Sequence, residues 1–205
     1  MSPFTRVSVS ESSPFNKIGV LMAEVQRADA QRNRARILEV AYSAFATDPG
    51  VSLNAIAKLA GVGPGTLYRH YPTREALLLA VYREEIDSLS GLAERLLVKQ
   101  PPLVAFRCWA RKLAELTRLK HGLGEALASP SAQAVIDASY GPVTTAIRQL
   151  LNAAETSGDI RAGVDPADVL LLLSALWRVP QGDGGLTQAD RILDMIVDSL
   201  TAALR

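Results

Sequence analysis

The apolar residues of this chain recur at the spacing of an α-helix, beginning near residue 32. Ile37, Ala41 and Phe45 lie one to two turns apart on one face, which predicts a first helix that ends at the turn-forming residues 48–50. Runs of the same kind follow, and the chain offers no convincing strand. The pattern therefore predicts an all-α fold.

The segment before that helix has a different character. Residues 1–16 are rich in Ser, Pro and Thr and show no sustained period, which is typical of a tail. Residues 18–22 are mostly apolar and fit two alternatives: a frayed extension of the first helix or a natural start of the protein at Met22. We therefore assign residues 1–27 to a tail or helix extension.

Two short helices joined by a glycine-containing turn are predicted next. Ser52 is a good N-cap for the earlier one, 53–60, whose apolar side includes Leu59. Gly61 supplies the left-handed residue that ends it, and Pro64 is preset for the first turn of the later helix. Such a pair forms a helix-turn-helix unit.

The rest of the chain predicts a larger helical body. Thr73 caps a long helix, and the remaining predicted segments are 73–99, 103–119, a short piece at 124–128, and 132–157. Asp165 and Pro166 begin another helix by cap and preset dihedral. Residues 180–185 are expected to be a loop, with the last helix starting at 187–190.

The two final helices have apolar residues that indicate a dimer. Residues 169–179 are apolar on nearly every face, so we expect them to be covered by their own core and by a second subunit. A purely intramolecular core is the alternative. The predicted interface residues are Leu172, Ala175, Ile192, Ile196 and Leu200.

The helix-turn-helix segment carries a longer signature. It consists of Ile56-Ala57, Ala60-Gly61-Val62 and Gly65-Thr66-Leu67-Tyr68-Arg69-His70-Tyr71. Over roughly residues 32–82 the chain resembles the tetracycline-repressor (TetR) family of transcriptional regulators. The resemblance implies a three-helix DNA-binding domain, 28–74, and a helical effector-binding and dimerisation domain, 75–205. It further implies a homodimer, a palindromic operator in double-stranded DNA, and a small-molecule effector that releases a repressor.

The residue chemistry is consistent with DNA binding. Leu67 and Tyr71 are expected to face inward, while small residues at the start of the recognition helix allow close approach to DNA. Hydroxyl, guanidinium and imidazole donors follow on about one turn. The candidate DNA-binding residues are Arg34, Ser52, Lys58, Gly63, Pro64, Gly65, Thr66, Tyr68, Arg69, His70 and Arg74. For Ser52, Tyr68, His70 and Arg74, phosphate contacts are what the resemblance implies.

Candidate effector contacts rest on the rarity of aromatic residues, which make up 5% of the chain. They are Cys108, Trp109, His121, Tyr140 and Trp177. Plain core packing is the alternative for each of them. Cys108 also has the option of a redox sensor, with Arg107 and Arg111 nearby in the sequence.

Composition narrows the class of protein further. With 205 residues, 48% hydrophobic and 21% charged, the chain cannot be disordered throughout. Its one cysteine cannot form an intramolecular disulfide, and no signal segment opens the chain, so we expect a cytoplasmic protein. The apolar stretch 169–177 is shorter than the ~20 residues of a bilayer span, so no membrane partner is expected.

The charge distribution and the remaining motifs bear on three other classes: a metal protein, a ligand-binding protein without DNA binding, and an enzyme. Residues 1–81 carry nine basic and six acidic side chains, and 82–205 carry thirteen and fifteen, so the basic excess lies in the amino-terminal part. Two histidines and one cysteine give little material for a zinc site, and no cofactor is expected. A helical ligand-binding protein without DNA binding stays open as an alternative. A small helical enzyme is disfavoured, because no catalytic spacing or phosphate-binding loop appears.

Overall fold

The computed structural model describes residues 14–48, 50–121, 129–180 and 183–201, and these form helices with no strand among them. We number the α-helices in chain order. They are α1 (Pro14–Thr47), α2 (Leu53–Leu59), α3 (Pro64–His70), α4 (Arg74–Lys99), α5 (Pro102–His121), α6 (Pro130–Thr156), α7 (Pro166–Ser174) and α8 (Asp183–Thr201). A 3₁₀ turn, Ala175–Arg178, follows α7 directly. The predicted all-α fold is confirmed.

Helices α1, α2 and α3 form a small head around one apolar cluster. Ile37 and Phe45 of α1, Ile56 of α2 and Leu67 of α3 are all fully buried there. Helices of seven residues are too short to be stable alone in water, so α2 and α3 depend on this shared core. The head is therefore a cooperative unit rather than three independent helices.

The first helix is longer than its apolar pattern predicts. It starts at Pro14 instead of residue 32, so the extension alternative describes residues 14–27. Between residues 24 and 36 the side chains are exposed, apart from a half-buried Ala28. Since residues 24–36 bury no apolar stripe, the apolar periodicity does not predict a helix there.

The helix ends in the head follow the predicted cap chemistry. The Ser52 hydroxyl accepts a hydrogen bond from the Ala55 amide at 3.2 Å, and Thr73 accepts one from the Ala76 amide at 3.0 Å. Gly61 has φ +64°, as expected for the residue that ends α2. The prediction that Leu59 lies on the apolar side of α2 is wrong, because this residue faces solvent with 65% of its surface exposed.

The body is built around α4, which packs against α1, α5 and α6. Trp109 of α5 is fully buried, and its indole nitrogen donates to the Leu89 carbonyl of α4 at 2.8 Å. Helix α6 continues through Pro142, and α7 packs on α6. The predicted short segment at 124–128 lies outside the described residues.

The predicted loop at 180–185 is wrong for residues 183–185, which belong to the last helix. Helix α8 begins at Asp183, and Gly185 lies inside it. A Cβ atom on Gly185 would come within 1.8 Å of the Pro180 carbonyl oxygen, so this glycine permits a close approach of two backbone segments. The sequence pattern predicts a loop-forming role for that glycine, whereas its use here is in packing.

Membrane crossing can be judged from helix length and apolarity together. Across the described ranges, none of the helices combines the two to the extent that a bilayer span requires.

Substitution of Gly61 tests the turn between α2 and α3. We expect Gly61→Ala to lower the free energy of unfolding by about 1 kcal/mol, because a Cβ atom disfavours positive φ. Gly61→Asn should lower it less, since asparagine tolerates this conformation better. Urea unfolding measures both, and equal stability of all three proteins would contradict the assigned backbone conformation.

Candidate nucleic-acid interface and cavity

Helix α3 has one face in the core and the other in solvent. Leu67 is fully buried and Tyr71, the residue that ends the helix, is buried as well, as predicted. Tyr68 has 43% of its surface exposed, and Arg69 and His70 are exposed beside it. The side chains that carry the hydroxyl, guanidinium and imidazole donors are therefore open to solvent.

The start of α3 is narrow and open. Gly63, Pro64 and Gly65 are exposed, and a Cβ atom built on Gly65 meets nothing within 4 Å. Gly65 also lacks a positive φ, so neither backbone conformation nor internal packing requires a glycine here. A requirement for glycine must come from outside the subunit, as it would if another molecule approached the backbone closely.

Arg69 is held against its own helix. Its Nε donates to the Gly65 carbonyl at 3.1 Å, and one terminal nitrogen lies 3.4 Å from the Thr66 hydroxyl oxygen. An arginine has five N–H donors in a planar fork, so these two contacts leave others for a phosphate or a base edge. Thr66 is half-buried beneath this guanidinium.

Hydroxyl caps flank α3 on both sides. Ser52 and Thr73 are exposed and each accepts a backbone amide through its oxygen, which leaves the hydroxyl proton for a second partner. Lys58, also exposed, lies in the last turn of α2. Ser52 and Lys58 are among the residues predicted from the sequence, whereas Thr73 is not, although its position as an N-cap is an available signal.

Two of the predicted DNA-binding arginines, Arg34 and Arg74, have different partners inside the protein. Arg34 lies at the Tyr71 hydroxyl; burial raises the pKa of that hydroxyl, and the Arg34 charge opposes the shift. The Arg74 guanidinium stands 5.0 Å from the centre of the Phe45 ring, as a cation–π pair that anchors α4 to α1. Arg74 is thus placed beside α3 by the core of the head.

Charge favours a polyanion at this surface. Residues 49–74 contain no Asp or Glu, and they carry Lys58, Arg69 and Arg74. We call the exposed surface of α2, α3 and the two caps the recognition surface. Its donors and cations suit phosphate contacts, and the slim start of α3 suits entry into the major groove.

A cavity of about 590 Å³ lies in the body between α4, α5, α6 and α7. Its apolar lining includes Ile86, Leu113, Ile136 and Val143. At one wall the Tyr82 hydroxyl lies 3.0 Å from the Ser139 hydroxyl. Burial raises the pKa of the Tyr82 hydroxyl.

The predicted effector residues are only partly brought together. Tyr140 lines the cavity. Trp109 is committed to the core, and Cys108 lies beside Gln100 at 3.5 Å, so neither is among the cavity residues. The side chains of His121 and Trp177 lie outside the described part of the chain. Sequence reasoning missed Tyr82, Ser139 and Asp168, because only the packing of three separate helices brings them together.

The predicted dimer residues separate into two groups. Leu172 has 49% of its surface exposed, and Ala175 is exposed. Ile192 is half-buried, while Ile196 and Leu200 are buried inside the subunit. Their stripe faces the subunit's own core, since α8 packs on α5 and is tied to it by two ion pairs, Arg107–Asp194 and Arg111–Asp190.

The fold and the recognition surface together define a helix-turn-helix DNA-binding protein with a helical second domain. A sequence model described as bacterial regulatory proteins, tetR family, matches residues 37–81. Another, described as transcriptional regulator SbtR-like, C-terminal domain, matches residues 101–202. The chain belongs to the TetR family and is a DNA-binding transcriptional regulator.

Solved structures extend the match over most of the chain. TetR transcriptional regulator SCO0520 from Streptomyces coelicolor is 34% identical, with a TM-score of 0.71, over 82% of this chain and 98% of that one. The TetR-like regulator LfrR from Mycobacterium smegmatis, solved in complex with proflavine, is 28% identical with a TM-score of 0.55, over 83% and 96%. These two matches include both head and body.

A curated relative matches over a shorter range. HTH-type transcriptional regulator SAUSA300_2515 from Staphylococcus aureus is 41% identical over 63 residues, which is 30% of this chain. The chain thus spans 34% of the length of the curated relative it matches.

Gly65 provides a test of close approach at the recognition surface. We expect Gly65→Ala to leave the protein as stable or up to about 1 kcal/mol more stable, because alanine is the better helix former. DNA binding should weaken by about fivefold or more, since the added methyl group meets the duplex. Fluorescence anisotropy and urea unfolding measure the two effects separately.

The matched control is Gly184→Ala in α8, where a Cβ atom also meets nothing within 4 Å. It should leave DNA affinity unchanged. Equal DNA affinity of Gly65→Ala and the parent protein would remove the start of α3 from the interface.

Proposed function

We propose that this regulator is a homodimeric repressor that binds a palindromic operator and is released by a small molecule in the cavity. The observation that carries the proposal is the path of α4. This helix begins at Arg74, three residues after Tyr71 ends α3, and two turns later its Tyr82 lines the cavity. A ligand against α4 therefore acts on the helix that continues from the recognition surface.

A second link joins the cavity to the same point. Ser129 caps α6 by accepting the Ala132 amide, and its hydroxyl also hydrogen-bonds the Glu75 carboxylate in the first turn of α4. Helix α6 lines the cavity through Ser139 and Tyr140. A ligand that displaces α6 would therefore also displace Glu75, which Ser129 holds, and with it the neighbouring Arg74.

The head meets the body at α1 as well. The Lys112 amine of α5 lies 5.6 Å from the centre of the Tyr42 ring in α1, and it also lies 3.1 Å from the Glu115 carboxylate. Burial raises the pKa of Glu85 in α4 nearby, and the Lys112 charge opposes it. Because these contacts join α1 of the head to α5 of the body, they favour movement of the two parts together.

Ligand-driven release requires different affinity of the ligand for two arrangements of the protein. The cavity volume of about 590 Å³ is in the range of small-molecule sites, which is roughly 300–1,000 Å³. The LfrR structure in complex with proflavine supports a small-molecule effector in this family. We infer that the chain acts by binding rather than catalysis, and in the cytoplasm, where a bacterial chromosome lies.

Operator binding tests the first half of the proposal. The probe is the promoter region beside the protein's own gene, measured by anisotropy over a range of salt concentrations. Affinity should fall steeply with salt, by about 0.9 in log–log slope for each phosphate neutralised. Protected half-sites should lie about one helical turn apart, or a multiple of it. A flat salt response, or no binding at low salt, would favour the alternative of a ligand-binding protein without DNA binding.

Leu172→Glu tests the dimer. Because Leu172 is half-exposed in the subunit, the charge does not disturb the core but would be buried without a partner in the interface. We expect the dimer dissociation constant to rise roughly a hundredfold, equivalent to about 3 kcal/mol, in sedimentation experiments.

Val98→Glu is the control, since Val98 is an exposed apolar residue at the far end of α4 and outside the predicted interface. Dimers of unchanged stability in Leu172→Glu would place the interface elsewhere.

A further inference from the structure

We infer that the cavity takes an apolar molecule with a single positive charge, such as an amine or ammonium group on a hydrocarbon body. The inference rests on the proposed function of the cavity as the effector site and specifies the chemistry of its ligand. It depends on three features of the lining, which are its apolar surface, its charge and the direction of its hydroxyl groups.

The apolar surface comes from all four surrounding helices. Ile86 of α4, Leu116 of α5, Val143 of α6 and Leu170 of α7 face the cavity together. Such a lining stabilises a hydrocarbon body by roughly 25 cal/mol for each Å² removed from water. A strongly polar ligand would lose its hydration without gaining equivalent partners.

The charge in the lining is negative. Among the described residues that line the cavity, Asp168 is the one with a charged side chain, and Lys, Arg and His are absent from that set. Asp168 lies in the first turn of α7 and is exposed, which places its carboxylate where the cavity meets solvent. An anionic ligand would therefore meet a like charge without a compensating cation, whereas a cationic ligand would meet its counter-charge.

Two of the hydroxyl groups in the lining, those of Ser139 and Ser174, also favour a ligand that donates hydrogen bonds. Ser139 donates its proton to the Ile136 carbonyl at 2.6 Å, so in the pair with Tyr82 it is Ser139 that accepts. Ser174 likewise donates to the Leu171 carbonyl at 2.6 Å. With their protons committed to the backbone, both serine oxygens present lone pairs, and an ammonium group supplies the N–H donors that such acceptors match.

The test uses one hydrocarbon chain with three head groups: decylammonium, decanol and decanoate. Isothermal calorimetry with the full chain, without DNA and below the aggregation concentration of each compound, measures the dissociation constants. Omitting DNA prevents the cation from binding to phosphates. We expect decylammonium to bind about fivefold or more tightly than decanoate, since an exposed charge pair contributes about 1 kcal/mol.

Asp168→Asn assigns the preference to its cause. It should reduce the ratio of decylammonium to decanoate affinity by roughly fivefold and leave decanol binding unchanged. Asp198→Asn is the matched control, because Asp198 is an exposed carboxylate on α8 outside the lining. That variant should keep the parent preference.

The outcomes separate the two proposals. Decanoate binding as tight as decylammonium would overturn the inferred ligand class while the cavity remained an effector site. A preference that survives in Asp168→Asn would overturn the assignment of that preference to Asp168. Absence of binding by all three compounds would also overturn the inferred ligand class, because none of them would then be accepted by the apolar lining. Operator binding, measured independently, would still stand in either case.

Discussion

Burial of Leu67 decides which side of α3 meets other molecules. A helix of seven residues does not persist alone in water, so its orientation is set by the one side chain that it places in the core of the head. With Leu67 inside, Tyr68 and Arg69, the next two residues along the helix, are turned towards solvent, and His70 is exposed as well. The exposed side of α3 and its open tip at Gly65 depend on that contact.

Local chemistry made the head predictable from the sequence. Ser52, Gly61, Pro64 and Thr73 each act on the backbone within three residues of themselves, so cap and turn rules apply without knowledge of the fold. The length of α1 escaped the same rules because its residues 24–36 bury no apolar stripe.

Long-range packing explains what the sequence could not predict. Ile196 and Leu200 share a periodic stripe with Ile192, but periodicity does not reveal whether a stripe faces the same subunit or another one. Gly185 lies in a helix where the Pro180 carbonyl approaches its backbone, and the sequence does not reveal that contact. The cavity has no sequence signal at all, since Tyr82, Ser139 and Asp168 are contributed by three separate helices.

The unbroken run of α4 has a mechanical consequence. Its 26 residues span about 39 Å at 1.5 Å per residue. A tilt of about 5° around its far end would carry the head through roughly 3 Å, close to the ~3.4 Å spacing of successive base pairs. In a symmetric dimer both heads would move. A displacement inside the body that is too small to disrupt its packing would therefore move the two α3 helices out of register with the grooves of the double helix.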